Sequence, residues 1–212
     1  MRDSLLIALP KGRLFDVTLG LFARAGIETD GSGSSSRKLT FSDREGLYEF
    51  VALKPADVPI YVESGAVDAG IVGSDVLREL DCDLYEPLDL RIGACTLVVA
   101  APAGMTLTGQ QHLRVATKYP RTAARFFAER NAHVHIVRLE GSVEIAPLLG
   151  LADVIVDLVE TGRTLRENGL EPVEQVARIS AKLIVNRTAM KTRNVAVRAL
   201  IASLDTVVYE DS

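Results

Sequence analysis

Short apolar runs alternate with amphipathic stretches along most of this chain, and no other feature restricts its fold as much. Leu5 to Leu9 reads as a strand. Leu14 to Ala25, apolar at helical spacing and closed by Gly26, reads as the helix that follows it. Leu39 to Phe41 and Tyr48 to Leu53 read as extended segments, Asp57 to Ser64 as a helix and Val67 to Val72 as a strand, with Ser74 placed to cap a helix through Leu80. Strands follow at Leu84 to Leu90 and Ala94 to Ala101. After Pro102 a second series predicts strands at Leu113 to Ala116, His133 to Leu139 and Val154 to Val159, with helices over Arg121 to Arg130 and around Val143 to Leu149. Residues 173–186, rich in β-branched side chains, predict one long strand, and residues 191–204 a closing helix. Strand–helix alternation of this kind builds parallel α/β sheets. The expectation is an α/β chain of two lobes, residues 1–93 with 178–212 in lobe I and 94–177 in lobe II.

Charge and composition narrow the function classes. Lys and Arg number 24 against 28 Asp and Glu, a net charge of −4, which argues against a surface built to hold a nucleic-acid backbone. Anionic small molecules remain possible where cations gather locally. The only early apolar run, Leu5 to Pro10, is too short for a signal-peptide core, and no run approaches the ~20 residues that span a bilayer, so a cytoplasmic location with no membrane partner is expected. Cys82 and Cys95 form no CxxC pair and read as buried thiols. His133 and His135 share one strand face without a third ligand at metal spacing, so no zinc site is expected.

The loops after the apolar runs are where ligands of open α/β sheets bind. In Asp153 to Leu165 an apolar strand runs into Asp157, Val159, Glu160, Thr161, Gly162, Arg163 and Thr164 and then into a helix. Backbone N–H groups, a glycine for close approach and two Thr hydroxyls suit a phosphate dianion, and the carboxylates suit ribose hydroxyls. An ordinary strand-to-helix turn would use the same residues. In ALPKGRL, Lys11 and Arg13 flank Gly12 where a helix begins, two cations opposed to the helix dipole that an anion would reconcile. Arg37, after the Ser-rich patch 31–36 read as a mobile loop, and Lys54 are further cations for the same place. Asp68, Ala69 and Gly70 open a glycine-studded strand that either admits a flat ligand or packs tightly. Glu140, Gly141, Ser142 and Glu144 form a second small turn between strand and helix, in which Ser142 can equally be a simple N-cap. Thr117 and Tyr119, in ATKYP, follow another strand, and Tyr119 can stack on a base or pack.

Together ALPKGRL, DVPIYVESGAVDAGIVGSD, VATKYP, LEGSVEIAPLLGLAD and VIVDLVETGRTLRENGL resemble the ATP phosphoribosyltransferase family, in order and over nearly the whole chain. The length resembles the family's short form, which lacks a C-terminal regulatory domain and works with a separate subunit similar to a histidyl-tRNA synthetase in a hetero-octamer. The resemblance implies two lobes like those of type II periplasmic binding proteins with the active site in the cleft between them. It implies condensation of ATP with 5-phosphoribosyl 1-diphosphate to N1-(5-phosphoribosyl)-ATP, with Mg²⁺ held mainly by the substrate diphosphate and by no direct protein ligands. Residues Asp157 to Thr164, with Glu140 to Glu144 beside them, would hold the ribose and 5-phosphate. Lys11, Gly12, Arg13, Asp68, Ala69, Gly70, Thr117 and Tyr119 would lie near ATP, and Lys11, Arg13, Arg37 and Lys54 would stabilise the leaving diphosphate. Relatives often carry Arg where this chain has Lys54, which keeps the charge but loses the bidentate fork. Leu158 after Asp157 removes the adjacent acid pair of the purine-salvage class. A non-catalytic sensor would share the architecture, but the phosphate-type loop suits an amino-acid ligand poorly.

Overall fold

The computed structural model describes residues 4–29, 39–107 and 112–210. The chain divides into two compact units, Met1–Gly93 with Ser180–Ser212, and Ala94–Ile179. The first opens with β1 (Leu5–Pro10), α1 (Arg13–Arg24), β2 (Thr40–Ser42), β3 (Tyr48–Leu53), α2 (Val58–Glu63), β4 (Ala69–Gly73), α3 (Ser74–Leu80) and β5 (Tyr85–Asp89). The second comprises β6 (Cys95–Pro102), β7 (Leu113–Thr117), α4 (Pro120–Ala128), β8 (Val134–Arg138), α5 (Ile145–Leu148), β9 (Val154–Val159), α6 (Arg163–Glu167) and β10 (Leu170–Ile179). The chain then completes the first unit with β11 (Ala181–Val185), α7 (Arg187–Thr192) and α8 (Asn194–Glu210).

In the first unit six strands run in the order β2-β3-β1-β4-β11-β5. β1 lies parallel to β3 and β4, while β11 runs antiparallel to β4 and β5. Both faces of β1 are covered, which is why its sequence is a continuous apolar run. Leu5, Ile7 and Leu9 pack with Phe15 and Phe22 of α1 and with Val197, Leu200 and Leu204 of α8. Ala8 faces the other way, onto Val58 and Val62 of α2. The Phe22 and Phe50 rings meet edge to face, centroids 5.4 Å apart; burying one such ring contributes roughly 2–3 kcal/mol.

In the second unit five strands run β10-β6-β9-β7-β8. β7 is parallel to both β8 and β9, whereas β6 runs antiparallel to β9 and β10. One face packs Val99, Val115 and Val156 against Phe126 and Phe127 of α4. The opposite face packs Ala116 and Ile155 against Val143, Ala146 and Leu165, under α5 and α6. Among the described residues no helix is long and apolar enough to cross a membrane.

Four local expectations are corrected. The single strand expected over 173–186 is two, broken at Ser180: Ile179 pairs with Cys95 in one sheet and Ala181 with Gly73 in the other. The closing helix is preceded by a separate short one, α7, whose first turn is capped by Asn186 Oδ1 accepting the Thr188 and Ala189 N–H groups at 2.8 and 3.0 Å. Ser74 is the first residue of α3, not its cap, and its N–H donates to Ser180 O at 2.9 Å. Cys82 and Cys95, expected to be buried, are half-buried, and neither forms a disulfide.

Candidate active site

At the carboxyl end of β1 the register pairs Pro10 with Leu53, so Lys11 and Lys54 emerge from adjacent parallel strands. The Lys11 N–H donates to Leu53 O at 2.7 Å and fixes that juxtaposition. The turn into α1 requires glycine: Gly12 sits at φ 90°, ψ −147°, which side-chain-bearing residues rarely adopt. Lys11, Gly12, Arg13 and Lys54 are all exposed, so the structure gathers three of the expected cations on one edge of the sheet. Arg37 and the Ser-rich patch lie outside the described residues.

Asp68, Ala69 and Gly70 are not part of that gathering. Asp68 precedes β4, and its Oδ2 accepts the Leu6 N–H at 2.9 Å and Arg193 Nη1 at 2.7 Å, at the amino end of β1. Leu6 and Lys11 are separated by five strand residues, about 16 Å at ~3.3 Å each. Gly70 is glycine for packing: a Cβ there would lie 2.7 Å from Val58 Cγ1 and 3.0 Å from Val62 Cγ2, so α2 occupies the space a ligand would need. The signal that separates these positions is strand direction. The carboxyl end of β4 carries Gly73, Ser74 and Asp75, where a Cβ on Gly73 would meet the Asp75 carboxylate.

The second unit presents the clearer arrangement. β9, β7 and β8 are adjacent and parallel, so the segments that follow them share one sheet edge. Residues 160–164 follow β9, and residues 140–144 follow β8. The two loops expected to hold a phosphorylated ribose therefore flank the end of β7. In the first loop Gly162 takes the left-handed conformation, φ 70° and ψ 9°, and turns the chain into α6. Thr161 Oγ1 accepts the Arg163 N–H at 3.4 Å, while Thr161 and Thr164 face solvent. Arg163 is turned away along the helix, its Nε 2.7 Å from Glu167 Oε1. Asp157 Oδ1 accepts the Leu158 N–H at 2.8 Å, and Val159 pairs with Thr96 of β6. In the second loop Glu140 pairs with Arg138 at 3.0 Å, and Ser142 sits at φ 49°. Ser142 is not an N-cap; that position belongs to Glu144, whose side chain makes no cap hydrogen bond.

Thr117 and Tyr119 serve the fold around this edge. Thr117 Oγ1 donates to Val156 O at 2.7 Å and accepts the Tyr119 N–H at 2.9 Å. Tyr119 is 4% exposed, with its ring in the same apolar cluster as Phe126 and Phe127. Base stacking would need a ring face that this packing covers. Among the described residues no group of three His, Cys, Asp or Glu side chains could cage a metal ion.

The family model described as HisG: ATP phosphoribosyltransferase matches residues 54–206. An ATP phosphoribosyltransferase from Geobacter metallireducens is 46% identical over 209 residues, 97% of this chain and 99% of the relative. Another, from Oceanobacillus iheyensis, is 48% identical over 202 residues, 95% of this chain and 97% of the relative. Of solved structures, the ATP phosphoribosyl transferase (HisG:HisZ) complex from Thermotoga maritima is similar with a TM-score of 0.84 at 33% identity, covering 98% of this chain and 99% of that one. The periplasmic aliphatic sulphonate binding protein SsuA from Escherichia coli shares the α/β fold, TM-score 0.64 at 12% identity over 98% of this chain and 73% of that one. On the family match and the near-complete relatives, the chain belongs to the ATP phosphoribosyltransferase family, transferases of the first step of histidine biosynthesis.

Proposed function

We propose that this chain joins ATP to 5-phosphoribosyl 1-diphosphate, with adenine N1 attacking the ribose C1 and diphosphate leaving, to give N1-(5-phosphoribosyl)-ATP. The observation that carries the reading is the shared edge of β9, β7 and β8, where two loops with the expected residues flank one strand end. Residues 160–164 hold the 5-phosphate through Thr161 and Thr164 hydroxyls and backbone N–H groups around Gly162, and Asp157 and Glu160 accept hydrogen bonds from ribose hydroxyls. Residues 140–144 complete the ribose side. Lys11, Arg13 and Lys54, with Gly12 allowing the backbone close approach, bind phosphate oxygens and offset the charge that grows on the leaving diphosphate.

Adenine N1 carries its own lone pair, so the chain needs no protein nucleophile and no dedicated general base. Holding the two substrates aligned supplies a large share of the rate. A hard, strongly hydrated cation keeps several waters and binds largely through substrate phosphates, which fits Mg²⁺ held mainly by the substrate diphosphate. Bound with the diphosphate, Mg²⁺ would supply Lewis-acid stabilisation of the leaving group.

A regulatory partner similar to a histidyl-tRNA synthetase, assembling as a hetero-octamer in the cytoplasm, completes the reading; the Thermotoga relative's complex with a second subunit supports the partner. The test is direct. The protein, with and without such a partner, is mixed with ATP, phosphoribosyl diphosphate and Mg²⁺, and the adenine absorbance is followed. Product formation is expected, and silence in both arms from folded protein overturns the proposal.

A further inference from the structure

The middle strand of the edge, β7, ends in a segment whose expected contacts, Thr117 and Tyr119, are both turned into the fold. Lys118 lies between them and is exposed. Register fixes where it stands. Thr117 pairs with Val156 on one side and Arg138 on the other, and Thr117 O accepts the Leu139 N–H at 3.0 Å. One position further along the three strands come Asp157, Lys118 and Leu139, with neighbouring strands ~4.8 Å apart. Lys118 thus stands at the strand end between the loop of residues 160–164 and the loop of residues 140–144. Its ammonium lies over the Tyr119 ring, 5.0 Å from the centroid, a contact that restrains the tip of the side chain. Arg163 is drawn along α6 to Glu167, Arg138 pairs with Glu140 of the second loop, and Arg166 Nη1 lies 3.0 Å from where a Cβ on Gly162 would be.

We propose that Lys118 is a further substrate-binding residue, donating to a phosphate oxygen of 5-phosphoribosyl 1-diphosphate from the middle of this edge. The inference rests on the phosphoribosyl reading of the two loops. An acidic chain needs local positive charge to hold a polyanion, and these loops bring Asp157, Glu160, Glu140 and Glu144 of their own. An exposed ammonium on a buried aromatic shelf meets that need at low ordering cost.

Calorimetric titration of phosphoribosyl diphosphate, and separately of ATP, into full-length wild type, Lys118→Gln and Lys118→Arg in the presence of Mg²⁺ tests the assignment, with melting temperature as the folding control. Losing one charge-assisted contact weakens phosphoribosyl diphosphate binding by roughly 10- to 100-fold. Lys118→Gln is expected to show that loss with ATP affinity within threefold of wild type, and Lys118→Arg to recover most of it. Unchanged phosphoribosyl diphosphate affinity in folded Lys118→Gln, or an equal loss for ATP, overturns the assignment while leaving the reading of the two loops intact. Should Lys118→Gln not fold, Lys118→Arg binding as weakly as a charge loss overturns it. Wild type that binds no phosphoribosyl diphosphate overturns both.

Discussion

Arg193 Nη1 lies 2.7 Å from Asp68 Oδ2, and the same carboxylate oxygen accepts the Leu6 N–H at 2.9 Å. The side chains are 21% and 19% exposed, so the pair is mostly desolvated. It joins the junction of α7 and α8 to the amino ends of β1 and β4, residues 125 positions apart in the chain. Removing one partner of such a pair leaves a charge without compensation, a cost of about 3 kcal/mol. Arg193→Ala and Asp68→Asn are expected each to lower the urea midpoint, and the double variant to lose less than the sum of the two. The Michaelis constant for ATP should stay near wild type in Asp68→Asn. A raised constant in a variant of wild-type stability would instead return Asp68 to the nucleotide site.

The Thr161 and Thr164 hydroxyls provide the sharpest test of the loop after β9. Both face solvent, so replacing them with Val removes hydrogen bonds to ligand without opening a cavity. The double Thr→Val variant is expected to raise the Michaelis constant for phosphoribosyl diphosphate by roughly 30- to 150-fold, at about 1–1.5 kcal/mol per lost bond. The constant for ATP should move far less. Equal effects on both substrates in steady-state kinetics would contradict the role given to the loop.

A stability gain is expected on α1. Thr18 is fully buried, and its Oγ1 has no hydrogen-bond partner. A buried hydroxyl without a partner costs about 1–2 kcal/mol, and Val has nearly the same shape. Thr18→Val should therefore raise the denaturation midpoint by an amount in that range. A fall of the same size would mean that the hydroxyl is satisfied in solution.

What could be read in the residues follows from how local each signal is. The loop after Val159 was legible because Glu160, Thr161, Gly162 and Thr164 are contiguous, and a strand, a turn and a helix start all lie within a dozen residues. The Lys11–Lys54 neighbourhood is half legible: the sequence shows both cations, but their meeting depends on β1 pairing with β3 in the Pro10–Leu53 register. The Asp68 partnership is not legible, because an acid before a glycine-rich strand looks the same whether it faces a ligand or an arginine on a distant helix. The break at Ser180 was invisible for a related reason. Val176, Ile179, Ile184 and Val185 all favour strands, and nothing in them says that the chain changes sheets midway.

Arg114 and Asp153 give the fold an acid-sensitive contact at the amino ends of β7 and β9, the end opposite the candidate site. Asp153 Oδ1 accepts Arg114 Nη2 at 2.6 Å, and Oδ2 accepts the Arg114 N–H at 2.8 Å and Nε at 3.2 Å. The guanidinium's hydrogen bonds hold the Asp153 carboxyl below its ordinary range, aided by the backbone N–H and the charge of Arg114 and opposed by a smaller effect of burial. A carboxyl whose folded value is depressed binds fewer protons folded than unfolded, so its contribution is complete above the unfolded value of about 3.9 and is lost as pH falls through the folded one. Wild type should therefore be more stable than Asp153→Asn at neutral pH, with the gap closing as pH drops below about 4. Melting temperatures of both proteins from pH 7 to pH 2 check this. A constant gap across that range would mean that Asp153 acts through packing or its backbone hydrogen bond and that its charge adds nothing.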